Sequence, residues 1–193
     1  MELDPKDIVA AARSTQRLNA TVAITVALLA TFMAICKVKD DNIVQAMQQA
    51  QADKIDHWAY YQARTLRQEM AETTVVQLEL ARSTARQPSS GYDEAIAKYR
   101  ALITDQAGKR TLVRQQAEQD QKTYDALNYR DDQFDLADAA LAITVAMLAV
   151  TALTGLWPLY WATLVPTLFG VLMGTAGLAG WALHPDSLSR LLS

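Results

Sequence analysis

Residues 18–36 read LNATVAITVALLATFMAIC and contain no Asp, Glu, Lys or Arg. A helix rises about 1.5 Å per residue, so this stretch would extend over roughly 28 Å, close to the hydrocarbon thickness of a bilayer. A second uncharged stretch, residues 139–183, is long enough for two more helices of this kind. The sequence therefore predicts three transmembrane helices, at about residues 18–36, 138–156 and 160–183.

The first stretch has a competing interpretation as a cleaved secretory signal, because Lys6, Arg13 and Arg17 precede it and Cys36 ends it. The apolar part of such a signal is about 7 to 15 residues long, shorter than this stretch. A small residue should also precede the cysteine, whereas isoleucine stands there. We therefore predict an uncleaved anchor that follows a short N-terminal segment, residues 1–17.

Between the second and third spans, Gly155 and Pro158 lie among the aromatic residues Trp157, Tyr160 and Trp161. Aromatic side chains with a polar tip favour the interface between membrane and water. This composition predicts a hairpin loop that barely leaves the membrane and is anchored by its aromatic residues.

The segment between the first and second spans is polar: residues 37–138 hold 31 charged residues. No proline or glycine interrupts it before Pro88, and Ala, Gln, Glu and Arg, which favour helix, dominate its composition. Pro88 and Gly91 predict a turn near residues 88–91. We therefore expect an all-α membrane protein in which a long antiparallel, coiled-coil-like hairpin, residues 37–137, joins the first two spans.

Lysine and arginine residues flank the spans unevenly. Three precede the first span, and the loop after the second span has none. Among those nearer the membrane ends, six lie on the side of the hairpin and of the C-terminal tail, residues 184–193: Lys37, Lys39, Lys54, Lys122, Arg130 and Arg190. Because cytoplasmic loops are enriched in these residues, we predict that the hairpin and the tail are cytoplasmic.

The apolar residues of the first hairpin arm follow helical spacing only loosely. They are Ile43, Val44, Met47, Ile55, Trp58, Tyr61, Leu66, Met70, Val76 and Leu80. Such a thin apolar seam buries too little surface for the hairpin to be stable alone. We therefore predict a homo-oligomer, in which helices of identical subunits cover one another.

An aromatic cluster lies in the middle of the first arm. Trp58 and Tyr61 share one helix face, while His57, Tyr60 and Arg64 lie on a neighbouring one. The cluster is either a packing contact or a docking patch for an unidentified protein partner, and the sequence leaves both interpretations open.

Three acidic residues, Asp131, Asp135 and Asp138, precede the second span at spacings that place them on one helix face. In a symmetric oligomer they would form rings of negative charge, which can concentrate cations at a pore mouth. The alternative is that they solvate the last helical turns before the membrane.

Small residues recur along one face of the third span: Thr163, Thr167, Gly170, Gly174 and Gly177. Small residues allow helices to approach closely in lipid. This face therefore predicts tight packing against another span or against another subunit.

The remaining sequence supports no catalytic, cofactor-binding or metal site. The chain has one cysteine, and its two histidines, His57 and His184, are far apart in sequence. Its glycines form no phosphate-binding loop, and a net charge of −3 with mixed signs does not favour nucleic acid as a partner. We therefore expect a protein that is not an enzyme.

The chain resembles a bacterial membrane-protein family known as domain of unknown function 4337. The resemblance depends on WAYYQAR at residues 58–64, on Phe134 before an alanine-rich span, on ALT at residues 152–154, and on a tryptophan-containing turn before a glycine-bearing span. It implies an integral protein of the bacterial inner membrane with three spans, and it supplies no catalytic residues.

Two functions follow as hypotheses. The first is a homo-oligomeric scaffold or interaction protein that presents the hairpin. The second is an oligomeric ion channel or transport component, whose pore is formed by the transmembrane helices.

Overall fold

The computed structural model describes residues 5–85, 90–181 and 183, with side chains from residue 12 onward. It contains three α-helices: α1 (Pro5–Thr84), α2 (Ser90–Thr154) and α3 (Trp157–Ala179). Within the described ranges there is no β-strand, which confirms the all-helical prediction. All three helices are long and apolar enough to cross a membrane.

The predicted spans and arms form continuous helices. Pro5 stands at the first position of α1, where its missing N–H costs nothing, and neither proline nor glycine occurs in the rest of that helix. Helix α2 passes through Gly108 without interruption and continues through the predicted second span. The predicted turn near residues 88–91 falls mostly outside the described residues, as does the C-terminal tail.

Helices α2 and α3 are joined more tightly than the sequence predicted. Gly155 adopts a left-handed conformation with φ 70°, and its N–H donates to the Thr151 carbonyl at 3.0 Å. The prediction of a loop that contains the aromatic residues is wrong, because Trp157 already begins α3. Pro158 is tolerated in the first turn of a helix, where no intrahelical donor is required.

The C-terminal end of α3 also comes before the predicted end of the third span. Gly180 adopts a left-handed conformation with φ 71°, which a glycine reaches without strain. The Trp181 N–H then donates to the Ala176 carbonyl at 2.9 Å and closes the helix end.

The chain divides into two compact units. The first unit comprises Met1–Gln45 and Ala126–Ser193, and the second comprises Ala46–Asp125. In the first unit, α1, α2 and α3 enclose an apolar core. Its buried members are Leu18, Val22, Leu29, Leu141 and Leu148, and the rings of Phe32, Trp157 and Tyr160 pack against them.

In the second unit, α1 and α2 are antiparallel: as the residue number rises along α1, the number of its partner on α2 falls. His57 pairs with Asp120, Arg64 with Gln106, and Arg82 with Asp93. Buried and half-buried residues of α1 include an inner row with alternating steps of three and four: 47, 50, 54, 57, 61, 64, 68, 71, 75 and 78. Helix α2 has a matching row among its buried and half-buried residues: 96, 99, 103, 106, 110, 113, 117, 120 and 124.

This inner row differs from the apolar seam that the sequence predicted. Ile55, Leu66, Met70, Val76 and Leu80 are exposed, and their side chains are on the outside of the second unit. Polar residues occupy several of the inner positions instead, because α2 supplies a hydrogen-bonding or aromatic partner for them.

Candidate functional site

The glycines of α3 pack against α1 and α2 of the same chain. A Cβ atom at Gly170 would lie 2.7 Å from Leu141 Cγ, and one at Gly177 would lie 2.8 Å from Phe134 Cζ. A Cβ at Gly174 would lie 2.8 Å from Phe32 Cζ and 3.1 Å from the sulfur of Cys36, which is buried. Of the two predicted partners for this face, the structure provides the spans of the same subunit.

The threonines along this contact use their hydroxyl groups within their own helices. Thr163 donates to the Tyr160 carbonyl at 2.6 Å, and Thr167 donates to the Thr163 carbonyl at 2.6 Å. Thr144, which is fully buried in α2, donates to the Ala140 carbonyl at 3.0 Å. Their polar groups are therefore satisfied inside the first unit, as hydroxyls in an apolar environment require.

The three residues of the predicted acidic face of α2 differ in their exposure to solvent. Asp131 is half-buried, whereas Asp135 and Asp138 are exposed. At this level α2 buries side chains on its other face, among them Gln133 and Phe134. The three carboxyl groups therefore lie at the rim of the first unit, and Asp131 is the least exposed of them.

Sequence reasoning missed the partner of Asp131, which is Asp40 of α1. Asp40 is only 6% exposed, and its Oδ2 accepts a hydrogen bond from Lys37 Nζ at 2.9 Å. Its other carboxylate oxygen, Oδ1, is buried and has no hydrogen-bond partner. The carboxyl group of Asp131 lies beside that of Asp40. A signal was available, since antiparallel arms bring residues just after the first span beside those just before the second.

The environment changes the proton affinity of this carboxyl cluster, which we define as Asp40, Asp131, Asp132 and Asp135. Burial, the contact with the Asp40 carboxyl group and the negative charge of Asp135 raise the pKa of Asp131 to about 7. Burial and the negative charges of Asp40 and Asp132 also raise the pKa of Asp135. The hydrogen bond to Asp40 raises the pKa of Lys37, which keeps this lysine charged.

Two residues close to Asp131 in sequence donate hydrogen bonds to carbonyl groups at the C-terminal end of α3. Arg130 Nη2 donates to the Gly177 carbonyl at 2.9 Å. Gln133 is completely buried, and its Nε2 donates to the carbonyls of Trp181 and Leu183. These donors satisfy carbonyl groups that a helix end leaves without an intrahelical partner. The sequence contained no pattern that could have indicated this role.

In the second unit, the structure separates the predicted aromatic cluster. His57 Nδ1 lies 2.6 Å from Asp120 Oδ2, and Arg64 donates to Gln106 at 3.0 Å, so both residues belong to the inner row. Trp58 and Tyr61 form an edge-to-face pair with ring centroids 5.4 Å apart, which agrees with the predicted shared face. Tyr60 is 60% exposed on the outside.

Cation–aromatic contacts reinforce this inner row. Lys54 Nζ lies 5.7 Å from the ring centroid of Tyr124, and the Arg110 guanidinium lies 5.9 Å from that of Tyr61. Lys54 also donates to Gln121 at 3.0 Å. His57, Tyr61 and Arg64 therefore contact α2, whereas Trp58 and Tyr60 are exposed.

The outward apolar side chains of α1 form what we call the outer stripe: Ile55, Leu66, Met70, Val76 and Leu80. At about 100° per residue they fall within roughly one third of the helix circumference. Beside the stripe is a groove of about 260 Å³. Its lining includes Met70 of α1 and Tyr99 and Leu102 of α2.

Within the ranges that the structure describes, no three His, Cys, Asp or Glu side chains are placed to hold a metal ion.

The sequence model of a known family, described as Domain of unknown function (DUF4337), matches residues 18–180. The chain belongs to the DUF4337 family. This confirms the resemblance, and the match extends from the first apolar stretch to the end of α3. No curated protein and no solved structure matches this DUF4337 protein. Its function must therefore be inferred from the residues themselves.

Proposed function

We propose that this DUF4337 protein is a three-span membrane protein whose paired helices form an antiparallel, coiled-coil-like hairpin that assembles with copies of itself as a scaffold. The outer stripe is the observation that carries this proposal. Its five large apolar side chains are 57% to 66% exposed, on a part of the chain that is too charged to enter a membrane. Extended apolar surfaces of this kind are typical of protein interfaces.

The outward surface of the first unit supports membrane insertion. Several of its large apolar side chains are exposed, by 62% to 88%, among them Ile24, Leu28, Leu153, Val165 and Leu168. In water these side chains would be costly to expose, whereas lipid tails solvate them. The buried threonines of the same unit satisfy their hydroxyls internally, as a protein in lipid must.

The energetics of the outer stripe favour association. Full burial of one such side chain contributes about 1.5 to 3 kcal/mol, so half-burial of five contributes about 4 to 7 kcal/mol per copy. Anchoring in one bilayer raises the effective concentration of the copies and reduces the entropic cost of association. A second copy of this chain is the simplest partner because both copies present the same surface, as a two-fold interface requires.

The test is the molecular mass of the protein in detergent for the wild type and for Leu66→Gln/Met70→Gln. We expect the wild type to exceed the monomer mass of 21.3 kDa and the double variant to shift toward it. Leu112→Gln is the matched control, since Leu112 is similarly exposed on α2 and lies outside the stripe. A monomeric wild type, or a double variant of unchanged mass and helix content, contradicts the proposal.

We place the hairpin in the cytoplasm of a bacterial cell, with the protein in the inner membrane. Lys37 and Lys39, directly after the first span, support this orientation. Thr73→Cys in a Cys36→Ser background provides a single exposed thiol for the test. A membrane-impermeant maleimide should label it in inverted vesicles and not in intact spheroplasts, and the reverse result would contradict the orientation.

The second candidate is an ion channel or transport component, and the exposure of Asp135 and Asp138 at the rim of the first unit favours it. There the two carboxylates could meet their symmetry mates around a pore. Asp135→Asn/Asp138→Asn should then lower the cation flux of proteoliposomes. Wild-type proteoliposomes that contain intact oligomers but conduct no ions would contradict this candidate. Neither candidate assigns a reaction or a nucleic-acid partner to the chain.

A further inference from the structure

The carboxyl cluster contains a buried acceptor that lacks a donor. Asp40 is 94% buried, and Lys37 binds only its Oδ2. The Oδ1 atom is sealed from solvent and accepts no hydrogen bond. A buried carboxylate oxygen without a partner costs free energy, so a hydrogen-bond donor at this position would stabilise the protein.

The surroundings of Asp40 supply an excess of negative charge. On α1, Lys37 neutralises it in part, but the same ammonium also pairs with Asp41 at 3.3 Å. Cys36 and Lys39 are the other titratable groups of α1 at this level.

On α2 the charged groups at this level are Arg130, Asp131, Asp132, Asp135 and Asp138. The hydrogen bond that the structure gives the Arg130 side chain goes to the α3 carbonyl of Gly177. Helix α3 contributes carbonyl groups here and has no titratable side chain in residues 163–179. Six carboxyl groups thus face three cations, and two carboxylates in contact repel each other.

We propose that Asp40 and Asp131 bind one proton between their carboxyl groups. This proton stabilises the contact between α1 and α2 in the first unit. A proton on Asp131 turns its carboxyl from a repelling anion into a donor, which is the group that the buried Asp40 lacks. The ligand of the site is therefore a proton, and it is exchanged without any covalent change in the protein.

The position of Asp131 links this proton to the end of α3. Arg130 and Gln133, which hold the carbonyls of Gly177 and Trp181, lie in the same helical turn as Asp131. Repulsion between Asp131 and Asp40 would displace that turn of α2. Loss of the proton should therefore loosen the end of α3 as well as the contact between α1 and α2.

The proton leaves in the neutral range, because burial and Asp40 raise the pKa of Asp131 to about 7. The folded protein keeps this proton at pH values where the unfolded chain, with an ordinary carboxyl, has released it. The folding equilibrium constant then falls by up to about tenfold for each unit that the pH rises between the ordinary value and about 7. Above that pH the proton no longer contributes to stability, and the folding equilibrium constant stops changing with pH.

The first experiment detects the proton directly, by infrared spectroscopy of full-length protein labelled with ¹³C at aspartate carboxyl groups. The wild type should show a protonated carboxyl band that titrates near neutral pH and disappears in Asp131→Asn. Asp138→Asn, an exposed position on the same helix, is the control and should retain the band. A wild type without this band at pH about 6, or a band that survives in Asp131→Asn, overturns the proposal.

The second experiment measures thermal unfolding in detergent as a function of pH. Asparagine at position 131 imitates the protonated carboxyl and should fold, so its stability should change less between pH about 5 and about 8 than that of the wild type. Asp138→Asn should follow the wild-type curve. Parallel curves for the wild type and Asp131→Asn would contradict the proposal. Neither experiment depends on the oligomeric state, so failure here leaves the scaffold proposal intact.

Discussion

Replacing Gly170 by alanine tests the close packing of α3 in the first unit. The new Cβ would lie 2.7 Å from Leu141 Cγ, which is about 0.7 Å less than the 3.4 Å at which ordinary contact begins. It would also lie 3.2 Å from the backbone carbonyl oxygen of Ala137. Leu141 is 1% exposed, and it therefore has little room to move away.

The expected cost follows from two opposing contributions. Overpacking a filled core costs about 1 to 3 kcal/mol, whereas alanine gains up to about 1 kcal/mol over glycine inside a helix. Subtracting the full gain leaves a net loss for Gly170→Ala of up to about 2 kcal/mol. Gly108→Ala is the matched control, because no atom lies within 4 Å of its new Cβ. It should stabilise the protein by about 0.5 to 1 kcal/mol.

The assay is unfolding in a mixed-detergent titration, followed by tryptophan fluorescence and by circular dichroism. Three of the four tryptophans, Trp157, Trp161 and Trp181, belong to the first unit and report on it. Opposite signs for the two substitutions are the expected result. If Gly170→Ala were as stabilising as Gly108→Ala, the reasoning that α3 packs on α2 through this glycine would be refuted.

Two further predictions concern buried polar side chains. Gln133→Leu removes the donor that the carbonyls of Trp181 and Leu183 share, so limited proteolysis should cut faster after the end of α3, and unchanged cleavage would contradict this role. Arg64→Met leaves Gln106, which is 5% exposed, without its partner and should lower the unfolding free energy by about 1 to 3 kcal/mol, as measured by thermal denaturation. Arg64→Met/Gln106→Leu should recover part of this loss, and a double variant less stable than the single one would contradict the pairing.

The helical architecture was predictable because it depends on local properties. The absence of charge over residues 18–36 and 139–183 identifies the apolar helices. The absence of proline and glycine after Pro5 allows one helix to continue through Thr84. The aromatic turn was predicted wrongly, since proline at the start of a helix looks the same in sequence as proline in a loop.

The inner row of the second unit could not be predicted, because apolar residues were the only guide to burial. The sequence left open whether His57 and Arg64 pack inside the protein or meet a partner, and in the structure they bind Asp120 and Gln106 of α2. Leu66 and Met70 would be placed inside, but both are exposed in the second unit. Which residues face inward depended on the partner that the other helix offered.

In the candidate site, too, some features follow from the sequence and others depend on contacts between helices. The sequence by itself determined that Asp131, Asp135 and Asp138 lie on one helix face, because residue spacing along a helix is geometric. Only the tertiary structure decided that Asp131 meets Asp40, that Asp40 is buried with one oxygen unpaired, and that Arg130 and Gln133 hold the end of α3. Charge and spacing are properties of one helix, whereas burial and proton affinity arise where helices distant in sequence meet.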